Sequence, residues 1–186
     1  MNEDYKTNLE GVRSMLREFG KHDKLRHGYA YRSGYNFLAQ HGIEYKPTLW
    51  PGGYKQGAPR MCYGNAIVGG AVYGLRYVEG ITLSPHGIAT PHAWNLSAEG
   101  ELLDLTWLNT GLVYIGVEFS LERADDATWN GDACVLDDWK RRWPLFRKPW
   151  AGENYNLTWP ASDRLAALRS PNKYMPDSVL EWEARR

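Results

Sequence analysis

The sequence has few cysteines, no net charge and no long apolar run, and each of these absences excludes a class of protein. Its two cysteines, Cys62 and Cys134, are too few for a disulfide scaffold or a four-cysteine metal site. Lys plus Arg equals Asp plus Glu at 22 each, so the overall charge predicts neither nucleic acid nor an anionic membrane as a partner. No stretch approaches the ~18 apolar residues that cross a bilayer, and the acidic, polar N-terminus does not resemble a secretory signal. We therefore expect a cytoplasmic protein with no metal and no cofactor.

Aromatic residues, in contrast, are abundant. The chain has 9 Trp and 12 Tyr, which supply large side chains for a core. Its 186 residues fit one domain of ordinary size, which we expect over 1–186. Within it we distinguish a helical N-terminal part over 1–60, a core over 61–119, and a Trp- and Pro-rich segment over 120–186 that wraps over the sheet.

Regular hydrophobic patterns predict the secondary structure. Apolar residues at helical spacing predict an N-terminal helix that ends near Gly20, and a short helix over 35–40 is stopped by Gly42. Small residues over 61–73 predict a closely packed helix that ends at Gly74. Four strands follow at 75–83, 91–97, 101–107 and 112–119, with a turn at 98–100 that joins the middle two in a hairpin. A helix followed by an antiparallel meander predicts an α+β fold with about four to six strands packed on the helix that begins at Cys62.

Three residues of this core suit a cysteine nucleophile, which needs a stabilised thiolate, a base and a group that orients the base. Cys62 stands at the predicted helix start, where free N–H groups and the helix dipole favour a thiolate. His92 begins one hairpin strand and Asp104 lies on the next. Paired strands can point both side chains to one face, so that the carboxylate accepts a hydrogen bond from the imidazole.

The segment 56–107 resembles the transglutaminase-like branch of the papain-like cysteine enzymes. In that branch the nucleophile opens a helix, and a YV-x-G strand, a HAW strand and a D-x-T strand follow; here these elements read CYGNA, YVEG, HAWN and LLDLTW. Gln56 precedes Cys62 by the interval at which papain-type enzymes place their oxyanion-hole glutamine. Leu105 stands where the family usually has proline.

The resemblance implies a papain/transglutaminase-like core, in which a helix bearing the nucleophile packs on an antiparallel sheet. It also implies a role for each matched residue. Cys62 would be the nucleophile and His92 the base and acid. Asp104 would orient His92, and Gln56 would donate a hydrogen bond to the oxyanion.

Three neighbouring residues are candidates for substrate binding. Glu79 interrupts an apolar strand, where it could recognise an amine or guanidinium near the thiol or could face solvent. Trp94 and Trp107 follow His92 and Asp104 closely, and each could be a wall of the core or a platform for substrate. Cys134 has no comparable context, and we interpret it as a structural thiol.

The expected function is an enzyme that attacks an amide or ester carbonyl through Cys62, forms a thioester and passes the acyl group to water or to an amine. A peptidase or amidase, a deamidase and an acyl transferase all fit, with a protein, a peptide or a small amide or ester as a narrow range of substrates. The alternative is a non-catalytic binding or structural module on the same fold. The run 139–150 mixes five basic residues with aromatic ones, which suits single-stranded nucleic acid, but acidic residues directly precede it, so a neutralised surface is favoured.

Overall fold

A computed structural model describes residues 3–152 and 162–170. In these ranges the chain forms five α-helices, namely α1 (Glu3–His22), α2 (Gly34–His41), α3 (Cys62–Tyr73), α4 (Leu121–Asp125) and α5 (Asp163–Leu168). It also forms five β-strands, namely β1 (Ile43–Tyr45), β2 (Arg76–Leu83), β3 (Ala89–Leu96), β4 (Leu102–Leu103) and β5 (Val113–Phe119). Short π- and 3₁₀-helical turns follow α4. The parts of the Trp- and Pro-rich segment at 153–161 and 171–186 lie outside the described residues.

The strands form one antiparallel sheet in the order β1-β5-β2-β3-β4. The α+β class and the antiparallel sheet are thus confirmed, but the predicted meander is wrong, because β5 pairs with β2 and not with β4. The physical reason lies in β2, which is buried at every position after Arg76. A strand covered so completely needs hydrogen-bond partners along both edges. The hairpin supplies one edge and β5 returns to supply the other.

The strand predicted over 101–107 is only two residues long, because the Asp104 side chain ends it. Oδ1 of Asp104 accepts hydrogen bonds from the backbone N–H groups of Thr106 and Trp107, at 2.9 and 3.0 Å. An aspartate that bonds to the chain two and three residues on forms a turn and withdraws those groups from a ladder. β3 consequently pairs with β4 only at Asn95 and Leu96, which leaves the edge of β3 at His92 uncovered by β4.

Helix α3 packs closely on the sheet, as its small residues predict. A Cβ on Gly69 would lie 2.5 Å from Oδ1 of Asn95, so only glycine fits there. The Asn95 amide donates to the Ala66 carbonyl at 2.8 Å and so ties β3 to the helix. The helix begins at Cys62 and ends at Gly74 with a left-handed φ of 69°, and both boundaries are those predicted. These contacts place the N-terminus of α3 near the uncovered edge of β3.

The N-terminal part covers the same face of the sheet as helix α3. Helix α1 buries an apolar stripe that joins the main core. Helix α2 ends at Gly42 as predicted, and β1, which is too short for a periodic signal, follows it directly. In the part of the chain that the structure describes, no helix is long and apolar enough to span a membrane.

Candidate active site

Cys62 is the first residue of α3, and its free thiol is half-buried. The first hydrogen bond of the helix runs from the Asn65 N–H to the Met61 carbonyl at 2.8 Å, and the Met61 side chain caps nothing. The chain enters the helix through Arg60, whose φ of 66° turns it sharply. The N–H groups at the start of α3 therefore make no hydrogen bond within the helix, and they lie next to Cys62 in the chain.

The His92 ring interacts with both Asp104 and Cys62. Its Nε2 is 2.8 Å from Oδ2 of Asp104, so the predicted contact is present. The prediction that paired strands carry the two side chains is wrong, because Asp104 lies in the turn after β4. Burial lowers the pKa of His92, but hydrogen bonds and charge interactions with Asp104 and Cys62 outweigh burial and raise this pKa to about 9. Because Nε2 serves the carboxylate, Nδ1 is the ring nitrogen left for the thiol. The structure thus brings together three of the residues predicted from the sequence.

Asp104 is completely buried, and both of its carboxylate oxygens accept hydrogen bonds. Its Oδ1 holds the turn described above, while its Oδ2 accepts from His92 and from the Tyr114 hydroxyl, the latter at 2.9 Å. An ionised carboxylate is only an acceptor, so these contacts place the donating hydrogens on Nε2 of His92 and on the Tyr114 oxygen. Asp104 is therefore held rigidly in the position from which it orients the His92 ring.

Sequence reasoning missed two residues that build this arrangement. Tyr114 comes from β5 and reaches Asp104 across the face of the sheet, and its hydroxyl accepts from the Gly111 N–H at 3.1 Å. Burial raises the pKa of Tyr114, and the nearby Asp104 raises it further. Asn109 accepts from the Asp104 N–H at 2.7 Å and donates to the Leu102 carbonyl at 3.0 Å. The only sequence signal for either is its position within about ten residues of the LLDLTW motif.

The two tryptophans differ in their surroundings. Trp107 is half-buried and stacks on His92, with ring centroids 4.3 Å apart and an interplanar angle of 26°. Trp94 is fully buried and packs edge-on against Tyr114 and Tyr45. Trp94 is therefore a wall of the core, whereas Trp107 covers one side of the His92 ring and limits its access to water. Substrate binding by Trp107 stays a prediction.

Gln56 lies in an exposed loop that is bonded to the Asp104 turn. Its side-chain amide donates to the Thr106 carbonyl at 3.2 Å, and the next N–H, of Gly57, donates to the Leu105 carbonyl at 2.8 Å. Asn65 of α3 holds the same loop through both the N–H and the carbonyl of Ala58. This anchoring connects the loop with both the helix that bears Cys62 and the turn that bears Asp104. Donation by Gln56 to an oxyanion stays a prediction.

Glu79 does not face solvent, and that alternative is wrong. Its carboxylate is completely buried and accepts from the Tyr77 hydroxyl at 2.8 Å and from the N–H groups of Val135 and Leu136 at 2.9 Å each. Burial raises the pKa of Glu79 above its ordinary value, although these hydrogen bonds act in the opposite direction. The prediction of a solvent-facing position was wrong because β2 is covered on both faces. Alternation of apolar and polar residues does not reveal a strand that is covered on both faces. Recognition of a substrate amine stays a prediction, and it would require Glu79 to give up these partners.

The second cysteine belongs to the same buried cluster as Glu79. The Cys134 thiol is buried and lies close to Glu79 and to the Tyr63 hydroxyl. Burial raises the pKa of Cys134 well above its ordinary value, and the nearby Glu79 adds to this. A thiol whose proton is held so firmly is a poor nucleophile, in agreement with a structural role.

In the described ranges, no three His, Cys, Asp or Glu side chains come together in a way that could hold a metal ion. Comparison of the chain with protein-family models, with curated proteins and with solved structures finds no match in any of the three. The chemical arrangement of Cys62, His92 and Asp104 is therefore the basis for a functional assignment.

Proposed function

We propose that the chain is a thiol hydrolase or acyl transferase of the transglutaminase-like and papain-like type, with Cys62 as its nucleophile. The observation that carries the proposal is the 2.8 Å contact of the His92 ring with the buried Asp104 carboxylate, together with a Cys62 thiol close enough to His92 to help raise its pKa. A nucleophile, a base in contact with it and a third group that orients the base are the signature of covalent catalysis.

In the first half-reaction the Cys62 sulfur attacks the carbonyl carbon of an amide or ester. Cys62 attacks as a thiolate whose proton His92 holds. A C–S bond forms, the C–N or C–O bond breaks, and His92 passes that proton to the leaving amine or alcohol. The product is a thioester on Cys62. Asp104 keeps Nε2 protonated and so keeps Nδ1 directed at the reacting atoms.

The second half-reaction returns the enzyme to its starting state. His92 takes a proton from water or from an amine, which attacks the thioester carbonyl and displaces the Cys62 sulfur. Water gives hydrolysis or deamidation, and an amine gives acyl transfer. The acyl donor in this proposal is a protein, a peptide or a small amide or ester.

Negative charge develops on the carbonyl oxygen in both half-reactions, and we assign two kinds of donor to it. The N–H groups at the start of α3 carry the positive end of the helix dipole. The Gln56 amide is neutral, so it can donate to an oxyanion without the effect of a fixed positive charge on the thiolate. Its loop is anchored to both α3 and the Asp104 turn.

The decisive experiment uses p-nitrophenyl acetate and intact-protein mass spectrometry. We expect either an acetyl adduct that peptide mapping places on Cys62 or continuous release of p-nitrophenol that requires Cys62. The Cys62→Ala and His92→Ala variants should lose both signals while retaining the circular dichroism of the folded protein. Cys134→Ala is the matched control and should retain them. Equal reaction of the Cys62→Ala variant and the unmodified chain would refute the proposal.

A further inference from the structure

A cavity of about 630 Å³ lies apart from the candidate active site, and none of the candidate catalytic residues lines it. Its lining comes from residues 23–38 and 128–146, from Tyr63, and from the sheet at Gly80, Ile81 and Pro91. Pro91 precedes His92 in β3, and consecutive side chains of a strand face opposite sides of the sheet. The cavity is therefore a separate site, and its volume suits a small molecule.

The interior of this cavity is apolar, whereas its rim is charged. The buried members of the lining include Leu38, Ile81, Cys134 and Phe146. The half-buried rings of Tyr35, Tyr63 and Trp143 also line it. The exposed members, which form the rim, are Asp23, Arg26, Arg32, Asp132, Asp137 and Trp139. A guest with an aromatic ring and one charged group matches this division, because the ring is buried while the charge stays at the rim.

The basic and aromatic run 139–150 supplies rings to this cavity but no charge. Trp139, Trp143 and Phe146 line it, and none of the five basic residues of the run does. Lys140 and Arg141 instead pair with carboxylates of the preceding segment 126–138. The aromatic residues of the run thus have a partner in the cavity itself, which does not require a nucleic acid.

Two of the three carboxylates at the rim already have partners. Asp132 pairs with Lys140 at 2.6 Å, and Asp137 accepts from the Trp143 indole N–H at 2.8 Å. Only Asp23 is left to interact with a cationic guest. The carboxylates of the rim therefore give little support to the binding of an amine.

The two arginines of the rim, in contrast, have no carboxylate partner in the described part of the chain. Arg32 donates only through Nη1, to the carbonyls of Lys21 and Asp23 at 3.5 and 3.3 Å, so its Nε and Nη2 groups remain for a guest. The Arg26 guanidinium lies over the Trp143 ring, 3.9 Å from its centroid, and its donors lie in the guanidinium plane. Even if Asp23 neutralises one arginine, the other is available to an anion.

One polar atom of the lining has no partner. The Thr128 hydroxyl oxygen is buried, and no described residue hydrogen-bonds to it. A buried hydroxyl without a partner is uncommon in proteins, and a ligand can supply one. An N–H or hydroxyl group on the ring of the guest would do so.

We propose that this cavity binds a small aromatic carboxylate. The ring lies among Tyr35, Trp143 and Phe146, and the carboxylate accepts hydrogen bonds from Arg26 and Arg32 at the rim. A guanidinium matches a carboxylate because it can donate two parallel hydrogen bonds to it. This site is independent of the proposed catalysis, since it uses none of the residues assigned to that reaction.

The test measures the binding of three indoles by isothermal titration calorimetry. Indole-3-acetate, indole-3-acetamide and tryptamine share one ring and carry a negative, a neutral and a positive group. We expect indole-3-acetate to bind once per chain and at least about tenfold more tightly than either of the others, because only its charge matches the arginines. Equal binding of all three, tighter binding of tryptamine, or no binding of indole-3-acetate at millimolar concentration would overturn the proposal.

Variants connect this binding with the cavity. Arg32→Gln should weaken the binding of indole-3-acetate at least about fivefold and leave that of indole-3-acetamide nearly unchanged. Ala133→Trp fills the cavity and should weaken both. Arg17→Gln is the matched control for Arg32→Gln, because Arg17 is an exposed residue of α1 outside the lining, and it should bind as the unmodified chain does. Cys62→Ala should also bind indole-3-acetate normally.

The outcomes separate this inference from the proposed function. Full affinity for indole-3-acetate in Arg32→Gln would overturn the assignment of the carboxylate to this rim. Loss of binding in Cys62→Ala would place the indole at the candidate active site and overturn a separate site. If indole-3-acetate binds as expected but p-nitrophenyl acetate gives no Cys62-dependent reaction, the proposed catalysis fails and the aromatic carboxylate site stands.

Discussion

At the scale of single residues, Asp104 organises the candidate site. One oxygen holds the turn that ends β4, and the other is shared by His92 and Tyr114. A shared acceptor distributes its negative charge over both donors, so the strength of the bond to His92 depends on whether Tyr114 also donates. Tyr114 is therefore a positioning residue that acts on His92 through Asp104.

The Tyr114→Phe variant tests this dependence. Without the hydroxyl, Oδ2 of Asp104 interacts with His92 alone, and we expect the pKa of His92 to rise from about 9 by about one unit. Nuclear magnetic resonance of the His92 ring protons against pH measures this shift. Tyr45→Phe, on the same face of the sheet, is the control. An unchanged His92 pKa in Tyr114→Phe would show that Tyr114 serves packing only.

A second prediction at this scale concerns the oxyanion. Gln56→Ala removes one donor, and we expect the acylation rate to fall by ~10²-fold, which is the usual effect of losing one such group. Stability should change little, because Gln56 is exposed and makes one hydrogen bond, to Thr106. Stopped-flow release of p-nitrophenol measures the rate. Gln40→Ala, on the exposed face of α2, is the matched control. Unchanged acylation in Gln56→Ala would leave the helix N–H groups as the oxyanion donors.

At the scale of elements, two glycines bring β2 and β5 together beneath Trp94. Gly80 of β2 and Gly116 of β5 are ladder partners. A Cβ on Gly116 would lie 2.6 Å from the Trp94 ring, and one on Gly80 would collide with the Ile115 carbonyl. Gly80 lets the two strands approach closely, and Gly116 leaves room for the large ring, which packs on Tyr114 and so supports the oxygen that binds Asp104.

Glu79 joins β2 to the 3₁₀ turn Val135–Asp137, and its carboxylate holds this turn against the sheet. In Glu79→Gln an amide nitrogen replaces one acceptor oxygen and faces a backbone N–H donor. We expect a loss of about 2 kcal/mol in the free energy of unfolding, since a buried donor loses its partner. Hydrogen exchange at the Val135 and Leu136 amides should accelerate in the folded state.

The control for this variant is Glu118→Gln, which changes a partly exposed carboxylate on the neighbouring strand. It should leave exchange at Val135 and Leu136 slow. If exchange at both amides stays as slow as in the unmodified chain, the Glu79 hydrogen bonds do not hold this turn.

At the scale of the whole molecule, His92 makes stability depend on pH. Burial lowers its pKa, but Asp104 and Cys62 raise it above the ordinary 6.5 to about 9. The folded state thus holds this proton more tightly than the unfolded state. The resulting stabilisation is complete below about pH 6.5 and is lost as the pH rises through about 9. We expect the contribution to be roughly 1–3 kcal/mol.

Urea unfolding across this pH window measures the effect. The Asp104→Asn variant should show a flatter profile, because it lacks the carboxylate that raises the pKa of His92 while burial still lowers it. The difference between the two profiles isolates this pair from other titrating groups. Parallel profiles would contradict the linkage.

Several features of the fold were predictable because they depend on neighbours along the chain. Helix α3 begins at Cys62 and ends at Gly74 as expected, since small residues and a left-handed glycine act locally. The hairpin turn after Leu96 also follows from its own residues. These local features place Cys62 at a helix start and His92 on the following hairpin, which made their pairing with Asp104 a reasonable expectation.

Only the tertiary structure decided what depends on partners far away. The order of the strands, the loss of the second half of the predicted strand at Asp104, and the burial of Glu79 each follow from which surfaces are covered. Tyr114 joins the site because β5 returns to β2 and brings its hydroxyl to Asp104. Hydrophobic alternation reports the local period of a strand but not the face or edge that another segment will cover, because that choice is made by the packing of the whole chain.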